Sequence, residues 1–242
     1  MPTYEGGMSF AQEFARGMRK SPPVVLSSAP FGLLFGALAV DNGFSVGEAV
    51  LMSATVYAGA SQMVGLDLFG QHVAPWLIAL SIFAVNFRHV LYSAAVGRRV
   101  PHWAPAQRAF GFFFLVDPQY AEAERKAENG ERVTFAWFMG MATPIYVCWV
   151  TEAWIGASFG SLIPNTYALG LDFLLPIYFL GLVLSFRTRP LWLPIVVTSA
   201  VASIAAYEAI GSPWHVTVGA AAGMALAAFM PVTGNGDGED VA

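Results

Sequence analysis

Apolar runs separated by short polar stretches make up almost the whole chain. By hydropathy these runs cover 22–40, 47–70, 73–96, 109–121, 133–157, 171–186, 191–210 and 213–230. Most of them have the roughly 20 residues that a transmembrane helix needs. Ahead of the first run, Phe10, Phe14 and Met18 recur at a spacing of four beside basic side chains, which predicts a short helix in the membrane interface. The pattern therefore predicts an all-α fold, a polytopic bundle of transmembrane helices.

The positions of lysine and arginine constrain the topology. All of them except Arg88 fall within 16–20, 98–108, 125–132 and 187–189. The positive-inside rule would place all four clusters in the cytoplasm, so an even number of crossings must separate neighbouring clusters. Run 47–70, which we expect to break at Gly59-Ala60-Ser61-Gln62, and the short run 109–121 then do not cross fully. This predicts about six full crossings plus these partial or re-entrant segments. In the alternative topology, all eight runs cross.

Composition agrees with a membrane protein. The 242 residues are 56% hydrophobic and only 12% charged, whereas soluble domains carry about 25% charged residues. The net charge of −4 gives no reason to expect a nucleic-acid partner. We divide the chain into an interfacial cytoplasmic segment at 1–20, a single transmembrane domain at 21–231 and a disordered cytoplasmic tail at 232–242, which is rich in glycine and aspartate.

Sequence motifs give no support to an enzyme or to a cofactor. Gly156-Ala157-Ser158-Phe159-Gly160 matches G-x-S-x-G, but it follows a predicted membrane helix rather than the strand that the hydrolase motif requires. The chain has no phosphate-binding P-loop motif. Its four histidines are scattered and Cys148 is its only cysteine, so we expect no metal site.

Polar residues interrupt run 73–96 at Asn86-Phe87-Arg88-His89. Charged groups inside a membrane helix are costly, and they usually face a protein interior or a water-filled path. The sequence therefore favours a functional role for Arg88 and His89. The alternative is a run that ends early, with the Arg88 side chain reaching back to the lipid headgroups.

The expected break in run 47–70 is a candidate binding element. A broken membrane segment directs backbone amides and carbonyls from its helix ends at a ligand. The small residues at 59–62 are also typical of a close contact between helices. Glycine pairs at Gly32/Gly36 and Gly219/Gly223 predict helix packing of that second kind.

Asp117, Glu152 and Glu208 are acidic residues that lie within apolar runs. Asp117 either ends a helix near the headgroups, as the following Pro118 suggests, or is a ligand inside the membrane. Glu152 and Glu208 fall near predicted helix ends, so we expect both at the interface.

Four sequence blocks resemble a known family when taken together. They are Pro30-Phe31-Gly32, Tyr57-Ala58-Gly59-Ala60-Ser61-Gln62, Asn86-Phe87-Arg88-His89-Val90-Leu91-Tyr92-Ser93 and Gly170-Leu171-Asp172-Phe173. In this order and spacing they resemble the AzlC family, the large permease subunit of branched-chain amino acid exporters. The resemblance implies a small AzlD-type membrane subunit as partner, secondary export rather than ATP-driven transport, and a bacterial or archaeal cytoplasmic membrane. The family usually has Asp-Glu where this chain has Asp117-Pro118, and we assign no role to Pro118.

The resemblance and the chemistry together predict an exporter of branched-chain or similar small hydrophobic amino acids. The alternatives are a passive channel for small solutes and a non-transporting membrane scaffold. A zwitterionic solute needs a cationic partner and an anionic or carbonyl partner, and an apolar wall that the phenylalanines at 112–114 would supply. The candidate substrate-binding residues are Gly59, Ser61, Gln62, Asn86, Arg88 and Asp117. His89 and Asp117 are the candidates for proton coupling, and the histidine changes charge near neutral pH.

Overall fold

The regular structure is entirely helical in the part of the chain that the computed structural model describes, which is residues 9–70, 73–160, 177, 180–181, 183–184, 186–211 and 214–230. Its helices are α1 Phe10–Met18, α2 Pro22–Asp41, α3 Val46–Val56, α4 Gly59–Gly70, α5 Pro75–Arg99, α6 Pro105–Phe113, α7 Asp117–Glu128, α8 Phe135–Phe159, α9 Trp192–Ile210 and α10 Trp214–Phe229. The expected tail at 232–242, the motif at 170–173 and most of the run at 171–186 lie outside the described residues.

Several helices have the length and composition of membrane spans. Helices α2, α5 and α9 are each long and apolar enough to cross a bilayer. Helix α8 has 25 residues and is therefore about 37 Å long, which exceeds the hydrocarbon thickness of a bilayer. The predicted all-α membrane bundle is thus confirmed. The number of crossings, about six or eight, stays a prediction.

The chain divides into two compact units, Met1–Leu174 and Leu175–Ala242. In the first unit, α8 is the central helix and packs against α1, α2, α3, α6 and α7. Phe138 and Met141 of α8 are fully buried in its largest apolar cluster. The position of α8 decides which side chains of the other helices face the interior of this unit.

Helices α2 and α8 approach closely because both carry glycine at their contact. A methyl group on Gly36 would overlap the carbonyl oxygen of Ala153, and one on Gly156 would overlap the carbonyl oxygen of Leu33. The packing role predicted for the Gly32/Gly36 pair is confirmed. Gly156 belongs to the same contact, which explains the G-x-S-x-G match without a hydrolase.

The N-terminal helix α1 forms as predicted and packs on α8. Ser9 caps it, and the side chain of Gln12 completes a reciprocal capping box. Glu13 is buried and accepts a hydrogen bond of 2.9 Å from Thr134 Oγ1. Phe10 and Met18 stay exposed at 49% and 44%, which suits a helix whose apolar side contacts lipid.

The run at 47–70 is broken, two residues earlier than predicted. Helix α3 ends at Val56 and α4 begins at Gly59. Tyr57 between them has φ 42° and ψ 47°, the left-handed conformation that ends α3. Gly59–Gln62 therefore forms the first turn of α4 rather than the break itself, because the turn is made by a tyrosine that the surrounding side chains hold in place.

The short run at 109–121 is divided between two helices. Helix α6 ends at Phe113 and α7 begins at Asp117, with Phe114–Val116 as the connection. Pro118 lies in the first turn of α7, where its missing N–H has no helical partner to lose. Pro118 therefore begins a helix here and does not end one.

In the second unit, α9 and α10 pack side by side. A methyl group on Gly219 would lie 2.8 Å from the carbonyl oxygen of Ser199, and Gly223 faces the Ser199 hydroxyl. The packing predicted for this glycine pair is confirmed.

Candidate functional site

Arg88 and Asp117 form an ion pair between α5 and α7. The guanidinium Nη1 of Arg88 lies 3.2 Å from Oδ2 of Asp117, and the two side chains are only 21% and 8% exposed. Tyr92 donates a hydrogen bond of 2.8 Å to the other carboxylate oxygen. Helix α5 continues to Arg99, so the helix itself does not end at Arg88, and the position at which it leaves the membrane stays a prediction. Asp117 begins α7, so the interpretation that it ends a helix is wrong, whereas its role as a ligand inside the membrane stays a prediction.

Aromatic rings surround this ion pair. The rings of Tyr92 and Tyr120 stack at 4.3 Å and 9°. The His89 ring meets Tyr92 edge-on at 5.9 Å. Nε2 of His89 is buried and has no hydrogen-bond partner among the described residues. Tyr92 thus contacts both the His89 ring and the carboxylate of Asp117.

Ser61 and Asn86 join α4 to α5. The Ser61 hydroxyl donates a hydrogen bond to Oδ1 of Asn86, and Ser61 is fully buried. Each of these two predicted substrate-binding residues therefore has its partner in the other.

Gly59 and Gln62 lie against Trp149 of α8. The Gln62 side-chain oxygen accepts hydrogen bonds of 3.2 Å from the backbone N–H of Ala58 and from the Trp149 indole. A methyl group on Gly59 would come within 2.9 Å of the indole ring. Nε2 of Gln62 is buried without a partner among the described residues, so its N–H groups can donate hydrogen bonds to a bound ligand.

The predicted site residues thus fall into separate groups along α5 and α4. From the sequence we expected Arg88 or the backbone amides near Ser61 to hold the substrate carboxylate, and Asp117 or Gln62 to hold its ammonium. In the structure Arg88 and Asp117 bond each other, because the packing of α5 on α7 brings opposite charges together. Gln62 and Gly59 instead belong to the contact between α4 and α8.

Sequence reasoning named Gln62 as a site residue but missed the other buried polar groups near the break in run 47–70. We define the break cluster as Ser53, Tyr57, Gln62 and Glu152. Each has a buried side-chain atom without a hydrogen-bond partner among the described residues, namely Ser53 Oγ, Tyr57 Oη, Gln62 Nε2 and Glu152 Oε2. The signal available in the sequence was a tyrosine directly before the small residues at 58–61 and a carboxylate within an apolar run.

Glu152 is buried against α2, and its expected location at the membrane interface stays a prediction. Glu152 is 8% exposed within α8, and Gly32 of α2 makes room for it. A methyl group on Gly32 would lie 2.7 Å from both Cβ and Oε2 of Glu152. Tyr146, Trp149 and Glu152 follow each other at intervals of three on α8, so they share one face of that helix.

That face of α8 meets the break through aromatic contacts. The ring of Tyr57 lies 4.9 Å from Tyr146, 6.2 Å from Phe113 and 6.3 Å from Phe114. Tyr146 also donates a hydrogen bond of 2.9 Å to the carbonyl of Ala54 in α3. Phe113 and Phe114 therefore lie beside the break, while Phe112 packs on Trp103 at 6.3 Å. That these rings form an apolar wall for a substrate stays a prediction.

Comparisons with known proteins agree with a membrane protein of one family. The profile of the family described as AzlC protein matches residues 23–163. Inner membrane protein YgaZ of Escherichia coli (strain K12) is 33% identical over 177 residues, which are 71% of this chain and 72% of that protein. An uncharacterized membrane protein of Archaeoglobus fulgidus is 34% identical over 154 residues, which are 64% of this chain and 66% of the relative.

A third relative is more distant. The branched-chain amino acid transport protein AzlC of Bacillus subtilis (strain 168) is 25% identical over 160 residues, which are 65% of this chain and 61% of that protein. No solved structure matches the chain.

The matched region contains the ion pair, the break and all of α8, the elements that hold every candidate residue described above. The expected placement as a multi-pass protein of the cytoplasmic (inner) membrane is confirmed by the apolar helices and by the membrane relatives. The profile match over more than half of the chain, together with the relative from Escherichia coli, shows that this chain belongs to the AzlC protein family.

Proposed function

We propose that this chain is the large subunit of a two-component permease that exports branched-chain or similar small hydrophobic amino acids by secondary active transport. The observation that carries the proposal is the break cluster beside an aromatic wall. Its unused hydrogen-bonding atoms comprise three donor groups and one carboxylate oxygen, which is the complement of a zwitterion. The name of the relative from Bacillus subtilis supports branched-chain amino acids as the substrate class.

In this proposal the amino acid binds where α3 and α4 meet α8. The Glu152 carboxylate accepts hydrogen bonds from the substrate ammonium, and the Gln62 amide and Tyr57 hydroxyl donate to its carboxylate. Phe113 and Phe114 contact the aliphatic side chain. Ser61 and Asn86 hold α4 against α5, and Gly59 allows the indole of Trp149 to approach α4.

The ion pair of Arg88 and Asp117 lies outside this proposed binding site, and we assign it to the coupling of export to proton uptake. Asp117 can take up a proton only if its ion pair with Arg88 opens, because a buried carboxylate must be either paired with a cation or protonated. His89, whose imidazole can accept and release a proton, is the nearest candidate for passing that proton. Export would then be driven by protons that enter as the amino acid leaves.

The decisive experiment is counterflow of labelled leucine in proteoliposomes, with this chain alone and with its small AzlD-type subunit. We expect leucine and valine to exchange only when both subunits are present, and lysine not to compete. Full export by the lone chain would refute the two-component arrangement. Flux that never exceeds the concentration gradient would instead identify a passive channel, and no flux with a stable complex would identify a scaffold.

A further inference from the structure

A basic cavity lies in the first unit, away from the break cluster and the ion pair. Its volume is about 300 Å³. The end of α1, the last turns of α7, the loop after it and the start of α8 form its walls. The lining residues are Arg16, Arg19, Lys20, Glu122, Arg125, Lys126, Asn129, Glu131 and Trp137.

The charges of the cavity do not cancel. Five basic side chains line it against two carboxylates, which leaves a formal charge of 5 − 2 = +3. The carboxylates are already engaged, because Glu131 accepts a hydrogen bond of 2.7 Å from Lys126 and Glu122 pairs with Arg125. The hydrogen bond from Lys126 also lowers the pKa of Glu131 below its ordinary value, so this carboxyl stays charged at neutral pH. An anion entering the cavity therefore meets a surplus of positive charge.

Arg19 and Lys20 supply the unused part of that charge. Both are exposed, and neither side chain has a hydrogen bond or ion pair with the described residues. Lys126 is held in place from two sides, by Glu131 and by the face of Trp137 at 5.2 Å. The cavity thus contains one cation held in place, Lys126, and two that have no partner among the described residues, Arg19 and Lys20. Cations of this kind form strong hydrogen bonds with a phosphate group.

The position of α1 distinguishes a lipid from a soluble anion. The same helix exposes the apolar side chains of Phe10 and Met18 and carries Arg16 on its last turn. A helix with these two features lies at the level of the headgroups, with its apolar side chains in the acyl region. We propose that this cavity binds the phosphate of an anionic phospholipid headgroup. Basic pockets beside membrane helices bind acidic headgroups through this chemistry.

The proposal is tested on the purified full-length chain in a neutral detergent. Binding of short-chain phosphatidylglycerol is measured by titration and compared with phosphatidylcholine and with inorganic phosphate. We expect saturable binding of phosphatidylglycerol, none of phosphatidylcholine, and no competition from millimolar phosphate. The double variant Arg19→Gln/Lys20→Gln should bind roughly tenfold to thirtyfold more weakly, since each basic side chain near a lipid surface contributes appreciably.

The matched control removes the same charge elsewhere. Arg98→Gln/Arg187→Gln neutralises two exposed basic residues that do not line the cavity, and it should bind as the unaltered chain does. Arg19→Lys keeps the charge and should retain binding. All these positions are exposed, so the variants should elute and unfold as the unaltered chain does, and transport is not needed for the measurement.

Three results would overturn the proposal. Equal losses in both double variants would mean that only net charge matters. Equally tight binding of inorganic phosphate would assign the cavity to a soluble anion. Unchanged binding in Arg19→Gln/Lys20→Gln would place any lipid elsewhere.

Discussion

Arg88 lies on α5 with its guanidinium 3.2 Å from the carboxylate of Asp117, which begins α7. Both side chains are mostly buried, so removing one charge breaks the ion pair and leaves the other charge buried without this partner. Asp117→Asn alone should lower the free energy of unfolding by roughly 3 kcal/mol. The double variant Arg88→Gln/Asp117→Asn should recover part of that loss. Unfolding in a denaturing detergent measures the cycle, and additive losses would show that the pair contributes no coupling.

His89→Gln tests the assignment to proton coupling. Glutamine keeps a hydrogen-bonding side chain but does not take a proton between about pH 5 and 8. We expect the pH dependence of export to flatten over this range, while exchange of labelled leucine at constant pH continues. His215→Gln in α10 is the matched control and should keep the original pH profile. An unchanged profile for His89→Gln would remove this residue from the mechanism.

Glu152→Gln tests the ammonium-binding role proposed for the break cluster. The amide has nearly the same size but no charge, so apparent affinity for leucine should fall by about tenfold or more, the range of a lost charged hydrogen bond. Gly32→Ala should weaken binding in the same direction, because its methyl group would lie 2.7 Å from Oε2 of Glu152.

The control for this test is Glu208→Gln, which changes an exposed carboxylate near the end of α9. It should leave leucine affinity unaltered. If Glu152→Gln transports leucine with normal affinity and normal protein level, the carboxylate does not bind the substrate.

The contact between α2 and α8 predicts that alanine substitutions at different glycines have very different effects on stability. Gly36→Ala and Gly156→Ala each place a methyl group on the backbone of the facing helix, and overpacking of this kind costs about 1–3 kcal/mol. Gly47→Ala in α3 meets open space and should be neutral or slightly stabilising, as alanine favours a helix. Thermal unfolding in detergent compares the three. A similar midpoint for all would mean that the two helices separate easily.

Topology is tested by cysteine labelling in a Cys148→Ala background. Ala106 in α6 and Asn129 after α7 are both exposed, and both belong to clusters that the positive-inside rule places in the cytoplasm. Ala106→Cys and Asn129→Cys should therefore resist an impermeant thiol reagent added outside intact cells. Labelling of Ala106→Cys from outside would favour the eight-crossing alternative.

The sequence alone determined that this is a helical membrane protein and that the glycine pairs Gly32/Gly36 and Gly219/Gly223 pack. Apolar runs of this length predict helices because lipid offers the backbone no hydrogen bonds. The packing of Gly32 and Gly36 could also be predicted from the sequence, since small residues at this spacing create a flat helix surface. Even the broken run at 47–70 followed from its small residues and from the charge pattern, although the turn lies at Tyr57.

Only the tertiary structure decided which polar groups meet. Arg88 and Asp117 belong to different helices, and their pairing depends on how α5 rotates and packs against α7. The same is true of Glu152, whose place in a run could not reveal whether it faces Gly32 or the surroundings. Tyr57 adopts a left-handed conformation that is unfavourable for a tyrosine, and its ring contacts those of Tyr146, Phe113 and Phe114. A linear pattern records how often apolar residues recur, whereas the partner of a buried charge is chosen by the three-dimensional packing that surrounds it.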